Sequence, residues 1–252
     1  MKLGVSELAW ERLPIAATLE LLSERNIKYI ETVIPKHVDW MNVDLTQLRQ
    51  HIATWKKYGI EVKSTQSITY NANITAFTDF KFIDHIHKVS DICAQLNIDT
   101  MVLGAPTLRI KRNSTMLIDD FRKIDLMLKE RNQILLIEPN SRIYNGQYFF
   151  TVNEIISFIR ICDFTNIKTM IDTHNIILEG QQPADIFNKY QSYIHHVHVS
   201  ENGLSSFKNA QHHADLAEAL HEANYQGLVV YECMKTPTLI GDIELFSYIY
   251  NK

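Results

Sequence analysis

Short apolar runs alternate with longer stretches of helical period from one end of the chain to the other, and this alternation limits the fold more than any single motif does. The runs at residues 3–6, 29–33, 61–67, 100–104, 134–138, 168–172, 194–199 and 228–232 read as strands. Between them Leu45, Leu48, Ile52 and Trp55 step by three and four residues, as do Phe82, Ile86, Val89, Cys93 and Leu96. Leu117, Phe121, Ile124 and Leu128 repeat the spacing, and so do Ile155, Phe158, Ile159 and Cys162; each set lays an apolar stripe along one helix. A short sixth helix near 183–189 and a last one over 239–250 bring the helix count to eight. Eight strand–helix alternations without a Pro/Gly/Ser-rich linker predict a (β/α)8 (TIM) barrel, one α/β domain over residues 1–252. That length is close to the ~250 residues usual for such barrels. Periodicity does not show whether the sheet closes, so a doubly wound open sheet is the alternative.

Composition narrows the setting. With 46% hydrophobic and 21% charged residues the chain can bury a sizeable core. A net charge of -4 argues against a nucleic-acid partner, because phosphate binding is driven by Lys and Arg. Cys93, Cys162 and Cys233 are odd in number, far apart and without CxxC spacing, which predicts reduced thiols rather than a disulfide framework. The N-terminal MKLGVSELAWERLP lacks the apolar core of a signal peptide, and no run approaches the ~18 apolar residues of a membrane span. The expectation is a cytoplasmic protein with no membrane partner.

In a parallel barrel the C-terminal strand ends converge on one mouth, where active sites are built. Here ILLIEPN ends in Glu138, KTMIDTHN in Asp172 and LVVYECM in Glu232, while IHHVHVSEN carries His198 near its end. These positions are 34, 26 and 34 residues apart, about one βα unit each. A charge after an apolar strand costs several kcal/mol unless it is solvated, paired or metal-bound. Singly, an acidic strand end reads equally well as a salt bridge or a helix cap. Three carboxylates brought together would raise one another's pKa, and a divalent cation removes that difficulty. Oxygen-rich ligands with one imidazole suit Mn, Mg or Co better than a closed zinc site, although Zn fits too.

The segments IEPNSRIYNGQYF, MIDTHN, HHVHVSENGL and YECM resemble the xylose-isomerase-like barrel superfamily of sugar-phosphate isomerases and epimerases, which shares its barrel with the AP endonucleases. STQSITYN and VLGAPTLR in the first half are similar to the QS and GSPxxR segments of one branch. The resemblance implies that Glu138, Asp172, His198 and Glu232 bind one divalent metal ion, with Glu138 and Glu232 also forming the acid–base pair. It further implies a small-molecule sugar or sugar phosphate as substrate, and homo-oligomers as many relatives form. Two positions depart from the ketohexose epimerases of the group. Leu204 stands where they carry an Arg, and His174 lies two residues after Asp172 instead of three.

Four further residues are candidate substrate contacts: Gln66 facing the mouth, Arg109 for a phosphate or carboxylate, Glu201 and His213. For each the plain alternative is a loop, surface or helix-start role. His196 shares a face with His198 and could support it, Trp10 could wall a sugar, and Asn140 could shape the loop after Glu138. The chemistry expected is proton abstraction next to a metal-chelated carbonyl, giving isomerisation or epimerisation. Dehydration of a keto-polyol is the alternative on the same residues. Phosphodiester hydrolysis and binding without turnover rank below both, since the first calls for more histidine ligands and a basic face.

Overall fold

Eight parallel strands close on one another in chain order, and β8 pairs with β1. They are β1 (Lys2–Ser6), β2 (Ile27–Thr32), β3 (Glu61–Thr65), β4 (Thr100–Leu103), β5 (Ile134–Ile137), β6 (Ile167–Asp172), β7 (Ile194–Ser200) and β8 (Leu228–Glu232). This computed structural model describes residues 1–11, 14–110, 114–208 and 210–251. Closure settles the choice between barrel and open sheet in favour of the (β/α)8 barrel.

The helices are α1 (Ala16–Glu24), α2 (Thr46–Lys57), α3 (Phe80–Leu96), α4 (Ser114–Glu130), α5 (Val152–Cys162), α6 (Thr173–Leu178), α7 (Pro183–Tyr190), α8 (Gln211–Glu222) and α9 (Leu239–Tyr250). Nine α-helices among the described residues correct the expected eight. The additional one, α6, starts directly on β6: the Asp172 carboxylate accepts from the Asn175 N–H and caps the turn. A strand end that is also a helix cap leaves no loop, so the short THNIIL segment carried no separate helical signal. Elsewhere the ends follow ordinary capping. Asp79 and Thr151 cap α3 and α5, and Asn97 and Asp163 end them in the left-handed conformation.

Strand parity places the chemistry. Val102, Leu136 and Met170, from β4, β5 and β6, pack on one another apart from the main core, which assigns them to the barrel interior. Their neighbours Leu135, Ile137 and Ile171 belong with the helix residues Phe82, Phe121, Ile124 and Ile155 to the main core between strands and helices. Alternation then turns Glu138 and Asp172 inward, two residues beyond Leu136 and Met170. The β6–β7 pairing sets Asp172 opposite His198, and the β7–β8 pairing sets Ser200 opposite Glu232. Cys93 and Cys233 are buried free thiols, and Cys162 is half-buried and also free. No described helix is long and apolar enough to cross a membrane.

Candidate metal centre

Glu138, Asp172, His198 and Glu232 meet at the C-terminal end of the barrel, with one ligand atom of each within 4.8 Å of the others. His198 Nδ1 lies 3.1 Å from Glu138 Oε1 and 3.2 Å from Glu232 Oε2. Both Asp172 oxygens are engaged. Oδ1 accepts from the Asn175 N–H (2.7 Å) and side-chain amide (2.8 Å), and Oδ2 accepts from Ser200 Oγ at 2.9 Å. Asn140 donates to Glu138 Oε2 at 2.9 Å. Gly104, just past β4, leaves room for that carboxylate: a Cβ there would lie 2.5 Å from Glu138 Oε2.

The electrostatics of the cluster suit a bound cation. Burial, reinforced by Glu138 and Glu232, pushes the Asp172 carboxyl up to about 7. Burial also opposes ionisation of Glu138, but His198, Asn140 and Arg109 together hold its carboxyl below the usual range. Burial disfavours the charged form of His198 as well, yet Glu232 and Glu31 raise its pKa well above that of a free imidazole. One imidazole and three buried carboxylates are a donor set whose surplus negative charge a divalent ion offsets.

Glu31, at the penultimate position of β2, is the partner that sequence reasoning missed. It is fully buried; its Oε1 lies 2.6 Å from His198 Nε2 and its Oε2 lies 3.1 Å from His196 Nε2. Burial opposes its charge, but His198 and then His196 hold its carboxyl far below the usual range. With Nε2 held by Glu31, Nδ1 is the nitrogen turned to the Glu138 and Glu232 carboxylates, the arrangement that orients a metal-binding histidine. His196 thus stands where alternation places it, behind His198. The signal for Glu31 was an acidic residue inside an otherwise apolar run, the same signal that marked Glu138 and Glu232.

A cavity of about 380 Å³ opens above the cluster, lined by Glu138, Asp172 and Glu232 together with Pro106, Asn140, Tyr144, His174 and Leu204 among others. Glu201 is also on its wall, where its Oε1 accepts from the Lys208 N–H and lies 3.1 Å from His213 Nε2. Gln66, Arg109 and His213, the other candidate substrate contacts, are not among the residues that line this cavity. Gln66 is 4% exposed beneath the cluster and donates to Ser6 Oγ (2.7 Å) and Glu31 Oε1 (3.3 Å). Arg109 is 1% exposed and donates to the carbonyls of Phe149 (2.7 Å), Gly104 (2.8 Å) and Glu138 (2.7 Å). Its two terminal nitrogens tie together the segments after β4 and β5 through these carbonyls, while its Nε is buried without a partner. His213 is fully buried behind Glu201, with Nδ1 3.3 Å from the Tyr250 hydroxyl. Trp10 lines a separate hollow with Pro14, Lys235 and Pro237. Tyr144 was not legible in the sequence. It reaches the cavity because Ser141 and Arg142, just before it, are tied to Asn175 and Glu179 on and after α6. Leu204 reaches it from a turn where Leu204 itself has φ 53°.

A closed (β/α)8 barrel with an acidic four-residue cluster at its mouth defines the class: a barrel with a candidate metal centre on consecutive strand ends. Residues 19–245 match the Xylose isomerase-like TIM barrel family, and the chain belongs to it. A 132-residue segment is 29% identical to D-psicose 3-epimerase of Enterocloster bolteae, covering 51% of this chain and 44% of that protein. A 117-residue segment is 24% identical to inosose dehydratase of Lacticaseibacillus casei, over 37% of this chain and 39% of that one. The aligned segments therefore span less than half of these curated relatives. The apo structure of 3-keto-D-glucoside 4-epimerase from E. coli has the same fold, with a TM-score of 0.77 over 100% of both chains at 17% identity.

Proposed function

We propose that the protein is a divalent-metal-dependent isomerase or epimerase of a sugar, sugar phosphate or related keto-polyol, working by proton abstraction next to a carbonyl. The observation that carries the reading is the placement of Glu138 and Glu232. Both flank His198 Nδ1, at 3.1 and 3.2 Å, and both open onto the cavity. Asp172 has both oxygens hydrogen-bonded and is 2% exposed, so it acts as a fixed ligand rather than a base. A divalent metal held by Glu138, Asp172, His198 and Glu232 would polarise the substrate carbonyl and acidify the adjacent C–H. One glutamate then removes that proton and the other returns one from its own side of the substrate, which inverts or relocates the centre. Asn140 fixes the orientation of Glu138 through Oε2. Glu201, held by His213, accepts a hydrogen bond from a substrate hydroxyl at the rim. Gln66 and Arg109 serve as supports for Glu31 and for the Glu138 loop.

The similar proteins that are epimerases support this reading over others on the same fold. One feature favours dehydration as a second reading. The Tyr144 phenol lines the cavity, and burial together with Asp172, Glu138 and Glu232 keeps it protonated, so it can supply a proton to a departing hydroxide. Incubation with candidate ketoses and inososes in deuterated water separates the two. Epimerisation leaves one deuterium on the carbon next to the carbonyl with the formula otherwise intact, whereas dehydration loses the mass of water. Absence of any exchange with the metal-loaded protein, across both classes, would overturn proton abstraction.

A further inference from the structure

On the outer side of the barrel wall, Glu7, His37 and His51 come together, sharing no residue with the cavity centre. Glu7, just after β1, bonds Thr32 of β2, which alternates with the inward-facing Glu31 and so faces outward. Its Oε2 accepts from Thr32 Oγ1 (2.7 Å) and the Val33 N–H (2.9 Å), and its Oε1 lies 2.6 Å from His37 Nε2. The His37 ring stands edge-on to His51 of α2, with centroids 4.7 Å apart and planes at 83°. One ligand atom from each of the three lies within 4.8 Å of the others.

Two observations point beyond a hydrogen-bonded knot. The Nδ1 atoms of His37 and His51 are both buried and have no hydrogen-bond partner, although buried polar atoms are ordinarily satisfied. The side chains of His37 and Glu7 are each only 5% exposed, so water does not readily supply the missing bonds. The neighbouring Lys36 ammonium does not occupy the site, because it donates to the main-chain carbonyls of Glu7 and Trp10.

We propose that Glu7, His37 and His51 form a second divalent-cation site of the zinc-binding class, distinct from the cavity centre. Two imidazoles and one carboxylate are a donor set that zinc accepts, with a fourth position left to water. The oxygen-rich cavity centre favours harder ions such as Mn or Mg while still accepting zinc, so the two sites rank ions differently. The ion would tie α2 to the ends of β1 and β2. Because Glu7 also holds Val33, it would stiffen the strand end that carries Glu31.

The test uses the full chain carrying Asp172→Asn and Glu232→Gln, which disables the cavity centre. The protein is stripped with chelator and titrated with zinc alone. One equivalent of zinc is expected to remain bound after gel filtration, to raise the thermal midpoint, and to be lost when His51→Gln is added. Cobalt in place of zinc should show the intense visible absorption of a tetrahedral site, absent with His51→Gln. His51 is half-buried on α2, so its replacement leaves the fold intact, which circular dichroism checks. If the cavity variant does not fold, wild type against His51→Gln decides the matter: two equivalents falling to one are expected. No zinc in the cavity variant, or an equal count with and without His51, overturns the proposal.

Discussion

Glu31 and His198, 167 residues apart in sequence, face each other across the barrel interior at 2.6 Å, and this contact fixes which nitrogen of His198 points at the carboxylate cluster. Outer partners of metal-binding histidines commonly carry 10–100-fold in metal affinity. Glu31→Gln keeps the shape but removes the charge, so it should weaken divalent-metal binding by about that factor while the barrel stays folded. Competition with a chromophoric chelator measures it, and unchanged affinity would remove Glu31 from the centre.

Asp172 gives a pH signature. Its carboxyl titrates at about 7 in the metal-free fold, raised by burial and by Glu138 and Glu232. A raised folded pKa contributes stability that is complete below the ordinary carboxylate pKa of about 4 and is lost as pH rises through about 7. Metal-free wild type should therefore lose thermal stability relative to Asp172→Asn between those two pH values. Metal binding displaces the proton, so metal affinity should climb with pH over the same window. Parallel melting curves of the two proteins across that range would contradict the assignment.

Glu138→Gln and Glu232→Gln should each lower turnover by about 10²–10⁴-fold, the usual worth of a positioned acid or base. Glu201→Gln should act mainly on KM if, as proposed, Glu201 holds a substrate hydroxyl at the rim. The kcat and KM values of the three variants on one substrate make the comparison. Full turnover in both Glu138→Gln and Glu232→Gln would exclude them from the acid–base roles.

Arg109→Met should destabilise the fold rather than alter substrate charge preference. It removes the guanidinium from the carbonyls of Gly104, Glu138 and Phe149, a loss of about 2–5 kcal/mol for a buried charged clasp. Urea denaturation measures the loss. A normal midpoint with weakened binding of phosphorylated sugars would reverse this reading.

The barrel was legible because each βα unit announces itself locally, through short apolar runs and helical stripes such as Phe82–Ile86–Val89. The cluster was legible for the same reason: a charge at the end of a buried strand needs a partner, and four such ends on successive units share one mouth. What escaped was set by contacts between distant elements. Arg109 looked free because the carbonyls it binds belong to loops whose approach no local pattern encodes. His213 looked exposed because Tyr250, its cover, comes from the far end of the chain. Glu31 was hidden inside a strand reading that took its run as simply apolar.

The four proposed ligands all lie on or directly after β5–β8, whereas Ser6, Glu31 and Gln66, which brace His198, lie on or directly after β1–β3. A gene for the second half-barrel alone would encode every ligand yet leave one of them unbraced. Half-barrels exchanged between relatives would keep full metal affinity only where the incoming first half brings an acidic residue to the end of its second strand. A single codon, far from every ligand it serves, would thus decide which recombinants inherit a working centre.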